Sequence, residues 1–151
     1  MALASAALCG EPLRNWFNDP YFQVRSGIAG CPLPLGPFTT ESDMKKQTHY
    51  RAERGTTCWL AKKCDKPNSY LYDPEIAAAA KARFEASRAL RDASLWVTVQ
   101  RRWVQVDGCV PSAYAPGALE KLLADIPDVE HVIVNVRKPG AKLPYRARAD
   151  P

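Results

Sequence analysis

Apolar side chains alternate with polar ones in three short segments of the second half of the chain. The segments are residues 95–100, 103–110 and 131–136. Their apolar positions are Leu95, Val97 and Val99, then Val104, Val106 and Val110, then Val132, Val134 and Val136. A period of two residues is typical of half-buried β-strands. The pattern therefore predicts three strands that share one buried sheet face.

Two helical patterns complete this half of the chain. Asp73 followed by Pro74 is a typical helix start, with Asp73 as N-cap, and we expect this helix to run to about Leu90. Its apolar stripe is Ile76, Ala80 and Phe84, and that of the second helix is Leu119, Leu122, Leu123 and Ile126. The order αββαβ over residues 73–138 predicts an α+β fold with a three-stranded sheet backed by two helices.

The first half reads differently. Residues 9–72 are interrupted throughout by proline and glycine, which break helices and strands, so we expect a loop-rich extension. One helix is predicted inside it, because Thr40 and Asp43 form a capping box and Gly55 follows Arg54 as a stop. Residues 139–151, rich in proline and arginine, are expected to be a flexible tail.

Cysteine usage indicates an exported protein. Of the five cysteines, four lie in the loop-rich extension, where disulfides commonly replace a large core. Cys58 and Cys64 are the favoured local pair, and Cys9 is the expected odd one. Residues 1–8 resemble the end of a signal peptide, which favours a periplasmic location. Processing of Cys9 as a lipoprotein is the weaker reading, since Leu8 precedes it.

The extension also contains aromatic residues that lack a core of their own. On the sheet face opposite the valines, alternation places Trp96, Thr98, Gln100, Gln105, Cys109 and Ile133. That face is too apolar for open solvent, so we predict that residues 16–38 pack across it and hide Trp96 and Ile133. Cys109 would then lie close enough to Cys31 to form a bridge that ties the extension to the sheet.

The strand and turn residues together resemble one family, the BON domain of bacterial envelope proteins. The matching positions, over about residues 74–138, are Val97, Val99, Val104, Val106, Gly108, Val110, Pro127, Val129, Val132, Val134 and Val136. Arg102 stands where the family tends to have the turn glycine, so we expect the hairpin to close with a turn wider than two residues. Asp128 replaces a second glycine, before the last strand, and this change is mild because aspartate tolerates a left-handed conformation. The resemblance implies an exported, non-catalytic module that binds phospholipid or another envelope component.

Charge and residue type suggest where such a module would touch lipid. The formal charge is +5, and the basic residues form short pairs. Tryptophan favours the membrane interface and lysine or arginine favour anionic headgroups. Arg101, Arg102 and Trp103 at the hairpin tip are therefore the first candidates, with Arg137 and Lys138. An alternative reading folds Trp103 onto the sheet. Exchange of both tip arginines for serine should weaken vesicle binding by about 2 kcal/mol and leave folding nearly untouched.

Other functions have weaker support in the sequence. Cys58, Cys64 and His49 could supply zinc ligands, but the cysteine spacing is wide for zinc and suits a disulfide. His49 and His131 are the only histidines, and neither Cys58 nor Cys109 stands in a recognisable nucleophile motif, so we expect neither catalysis nor a cofactor. Export excludes nucleic acid as a partner. The main alternative is a module that docks a secreted or outer-membrane protein, and an enzyme domain of unfamiliar type is a third possibility.

Overall fold

A computed structural model of the chain describes residues 10–149. The predictions for residues 1–8 and for Cys9 lie outside the described residues. Within the described part, no helix has the length and apolar character needed to cross a bilayer.

The described chain forms a single four-stranded sheet with helices. The strands are β1 (Tyr21–Ser26), β2 (Ser94–Gln100), β3 (Trp103–Cys109) and β4 (His131–Arg137). The helices are α1 (Glu41–Glu53), α2 (Thr56–Leu60), a 3-10 helix (Ser69–Tyr72), α3 (Asp73–Ala86) and α4 (Ala118–Leu123). The strands lie in the order β1-β2-β3-β4, with β3 and β4 parallel and the other neighbours antiparallel.

The core lies between the valine face of the sheet and helices α3 and α4. Its central members are Ile76, Phe84, Leu95, Val97, Val99, Val104, Val106, Leu119 and Leu123. The predicted α+β class and the αββαβ order are confirmed. Helix α3 ends at Ala86, earlier than expected, where the Arg25 guanidinium donates to the carbonyls of Phe84 and Ser87 at 2.8 and 2.9 Å. Those carbonyls would otherwise lack a partner at the helix end.

The sheet has one strand more than predicted. β1 comes from the extension, which was expected to be irregular outside one helix, and it pairs with the free edge of β2 from Tyr21–Thr98 to Ser26–Ser94. A strand edge presents unpaired backbone groups that another segment can satisfy. The extension therefore completes the sheet, and one register irregularity lies between Gln23 and Arg25.

The hairpin between β2 and β3 closes with two residues, so the wider turn that was predicted is wrong. Gln100 pairs with Trp103, and Arg101 and Arg102 have positive φ angles of 53° and 68°. Such a turn usually requires glycine or asparagine. Here a neighbouring carboxylate stabilises it: the backbone N–H groups of Arg101 and Arg102 donate to Asp73 at 2.7 and 2.8 Å. Asp73, expected to be the N-cap of α3, thus lies in the first turn of α3, and its carboxylate accepts hydrogen bonds from the hairpin instead.

The extension and the tail meet over the outer face of the sheet. The Tyr21 hydroxyl donates to the Pro34 carbonyl at 3.0 Å, and the Leu35 N–H donates to the Arg146 carbonyl at 2.7 Å. The tail, expected to be flexible, therefore makes backbone contacts here. Thr98, Asp107 and Cys109 are buried on this face. Trp96 and Ile133, which were expected to be hidden, are only partly buried.

Candidate functional site

Arg102, one of the predicted lipid contacts, is engaged in contacts within the protein. Its Nε donates to the Asp128 carbonyl at 2.6 Å, and its Nη1 lies 3.2 Å from Glu130 Oε1. The guanidinium also lies 4.8 Å from the centre of the Tyr72 ring. Only 18% of the side chain is exposed. A cation that is paired and covered in this way has little left for a headgroup, and its exchange would disturb the fold.

Arg101 and Trp103 also pack against neighbours. The Arg101 guanidinium lies 5.0 Å from the Tyr50 ring, and burial together with the nearby charge of Arg54 lowers its pKa. Arg54 lies 4.8 Å from one ring centre of Trp103, and His131 packs edge-on at 4.8 Å. Within residues 10–149 the buried Trp103 Nε1 has no hydrogen-bond partner. The hairpin tip is thus covered by the extension, which agrees with the alternative reading of a folded-in Trp103.

Arg137 and Lys138 lie at the opposite end of the sheet. β4 runs from His131, beside Trp103, to Arg137, beside Cys109, so the two predicted groups are separated by about 20 Å at 3.3 Å per residue. The structure therefore does not bring them together. Among residues 10–149, neither Arg137 nor Lys138 has a carboxylate within ion-pair distance.

A cavity of about 340 Å³ lies beside these two cations. Its walls are residues 28–31 of the extension, residues 109–110 after β3, and residues 137–141 after β4. Lys138 is exposed and Arg137 is partly buried, with Nη2 3.9 Å from Cys109 Sγ. This arrangement leaves positive charge at the surface, where an anion can reach it.

Two disulfides, Cys31–Cys109 and Cys58–Cys64, join the pairs named from the sequence. The first links the extension to the end of β3, and the second closes a short loop. Because the zinc alternative needed Cys58 and Cys64 as thiolates, their bond removes those ligands. In the part of the chain that the structure describes, no group of three metal-ligating side chains lies together.

Sequence reasoning missed the burial of three carboxylates, those of Asp19, Asp73 and Asp107. Asp73 is 1% exposed and Asp107 is 2% exposed, and burial raises the pKa of both. Asp107 accepts hydrogen bonds from Gln105 and Asn135 at 2.8 and 2.9 Å. The alternation in β3 places Asp107 on the outer face with Gln105, so its position on that face could have been predicted from the sequence. For Asp73 the helix-start pattern pointed to a different role.

Comparison with known proteins identifies the second half of the chain. The BON domain model matches residues 72–137, so the chain contains a BON domain, a module of the envelope or phospholipid-binding type. The family is in general non-catalytic, and the two disulfides are compatible with an envelope or periplasmic protein. The searches of curated proteins and of solved structures gave no match.

Proposed function

We propose that this protein is an exported, non-catalytic envelope protein that binds an anionic phospholipid surface through its BON domain. The observation that carries the proposal is the pair of cations at the end of β4, Arg137 and Lys138, which have no carboxylate partner among residues 10–149. Arg137 is the last residue of the match to the BON domain, Lys138 follows it directly, and both line an open cavity. The formal charge of +5 adds long-range attraction to such a surface.

The disulfides support the choice of compartment. A bond such as Cys31–Cys109 persists in oxidising surroundings and is rare in the reducing cytosol. It ties the extension to the BON domain, so both parts would reach the envelope as one unit. Headgroups of anionic phospholipid are the negative surface that such a compartment offers.

Vesicle sedimentation tests the proposal. The protein should sediment with phosphatidylglycerol vesicles and not with phosphatidylcholine vesicles, and binding should weaken as salt shortens the range of the attraction. The double variant Arg137→Gln with Lys138→Gln should lose about 2 kcal/mol of binding free energy at low salt.

A matched control removes the same charge elsewhere. Lys45 and Lys46 are exposed on α1 and are paired with Glu41 and Asp43, so their change to glutamine should weaken binding far less. Equal losses in both variants would mean that only net charge matters. Sedimentation with neither lipid would overturn the proposal and favour the module that docks a secreted or outer-membrane protein.

A further inference from the structure

The short loop closed by the Cys58–Cys64 bond exposes apolar side chains beside cations. We call residues 56–64 the disulfide loop. Trp59 is 43% exposed and Leu60 is 74% exposed, the largest value among the large exposed apolar residues of the described chain. Lys62 and Lys63 follow and are both exposed. Large apolar side chains with this much exposure usually have a partner.

The disulfide loop is held rigidly, so its exposed residues are displayed in one arrangement. The N–H groups of Trp59 and Ala61 donate to the carbonyls of Gly55 and Thr57 at 3.1 and 3.0 Å. The Lys63 N–H donates to the Cys58 carbonyl at 3.0 Å, across the same residues that the disulfide closes. A preorganised surface loses little conformational entropy on binding.

The disulfide loop lies on the hairpin tip of the BON domain. Arg102 Nη1 is 3.9 Å from Cys64 Sγ. The N–H of Ser69, after the loop, donates to the carbonyl of Arg54, before the loop, at 2.9 Å. A side chain on Gly55 would meet the Ser69 nitrogen at 2.7 Å, so this joint is close-packed. Arg102, one of the tip residues expected to meet lipid, therefore contacts a segment that itself presents a tryptophan and two cations.

The charge of the disulfide loop suits an anionic partner. Residues 56–64 contain two lysines and no carboxylate. Within residues 10–149 neither Lys62 nor Lys63 forms an ion pair. A shallow cavity of about 500 Å³ opens between Trp59, Leu60 and Lys62, with Asp65 as the acidic residue at its edge.

We propose that the disulfide loop inserts into the surface of an anionic bilayer: Leu60 and Trp59 enter the headgroup region, and Lys62 and Lys63 bind lipid phosphates. This rests on the proposed function and names a contact outside the BON domain. Tryptophan is favoured at the interface, and lysines beside it are attracted to anionic headgroups. The disulfide loop contacts Arg102 near the start of β4, and the Arg137–Lys138 pair stands at the other end of this strand, which is about 20 Å long. The two contacts are therefore separate and can be tested one at a time.

A charge placed on the apolar tip tests insertion. Leu60→Glu should weaken binding to phosphatidylglycerol vesicles roughly tenfold or more, because a buried apolar contact becomes a like charge on an anionic surface. Leu13→Glu makes the same change at another exposed leucine, 44% exposed and outside the disulfide loop, and should change binding little. Circular dichroism of both variants should show an unchanged fold.

Separate measurements test the two lysines, by vesicle binding, and Trp59, by fluorescence quenching. Lys62→Gln with Lys63→Gln should weaken binding roughly 30-fold at low salt, whereas the Lys45→Gln, Lys46→Gln control should not. Brominated lipid should quench part of the tryptophan fluorescence of the bound protein. Trp59→Phe should remove that quenching while binding largely remains.

The outcomes separate this inference from the proposed function. If the wild type binds anionic vesicles but Leu60→Glu matches Leu13→Glu, or quenching survives in Trp59→Phe, the disulfide loop does not insert and lipid binding itself stands. If the wild type binds no anionic vesicle, both proposals fail. Capture of a protein partner that Leu60→Glu abolishes, without vesicle binding, would likewise assign the disulfide loop to protein docking and overturn insertion.

Discussion

Removal of the Asp73 carboxylate should destabilise the protein strongly, because it holds the hairpin turn closed. Asp73→Ala leaves the N–H groups of Arg101 and Arg102 without their acceptor. A buried donor left without a partner costs about 1–3 kcal/mol, so the gross loss is about 2–6 kcal/mol. Part of this is recovered because the carboxylate is itself costly to bury, as its raised pKa indicates. We therefore expect a net loss of about 2–4 kcal/mol in the free energy of unfolding.

Because Arg101 and Arg102 have positive φ angles, this turn depends on hydrogen bonds to a residue outside it. For residues other than glycine the left-handed conformation costs about 1–2 kcal/mol each, and the two hydrogen bonds to Asp73 offset that strain. Asp73→Asn keeps one carbonyl oxygen as an acceptor and should lose roughly half as much as Asp73→Ala.

Urea unfolding followed by tryptophan fluorescence measures the change, and hydrogen exchange locates it at the amides of Arg101 and Arg102. Asp125→Ala is the matched control, since that carboxylate is 71% exposed in its pair with Arg83 and should contribute less than about 1 kcal/mol. Equal losses for Asp73→Ala and Asp125→Ala, or unchanged protection of the two turn amides, would refute the reasoning.

Three further predictions concern the Cys31–Cys109 bond, Arg102 and Asp107. Replacement of both Cys31 and Cys109 by alanine should reduce the free energy of unfolding by about 4–5 kcal/mol, because the bond spans 78 residues, and urea unfolding measures it. Arg102→Ser should cost about 1–3 kcal/mol through the lost contact with Glu130, in contrast to the untouched folding first expected, and a thermal melt checks it. Burial raises the pKa of Asp107, so its contribution to stability is present below the ordinary pKa and is lost as pH rises through the folded value. The stability of Asp107→Asn relative to the wild type should therefore rise from about pH 4 to about pH 7, and a difference that stays the same at both pH values would contradict this.

The sequence by itself determined the parts of this protein that depend on near neighbours. The valine alternation of β2, β3 and β4 and the stripes of α3 and α4 are local patterns, and they predicted the α+β class and the order of elements. The family resemblance followed from the same positions, and the BON domain match confirms it. The buried face of a helix or strand follows from the spacing of its own apolar residues, so it can be predicted without knowledge of distant residues.

Only the tertiary structure decided the features that join residues far apart in the chain. Residues 21–26 form a strand because they pair with the free edge of β2. The two-residue turn is stabilised because Asp73, which belongs to α3, accepts hydrogen bonds from its N–H groups. The sequence does not show that Arg102 forms an ion pair with Glu130, which lies 28 residues away. Nor does it show that Leu60 is exposed at the surface. Partners of this kind are set by how whole elements pack, which no local pattern records.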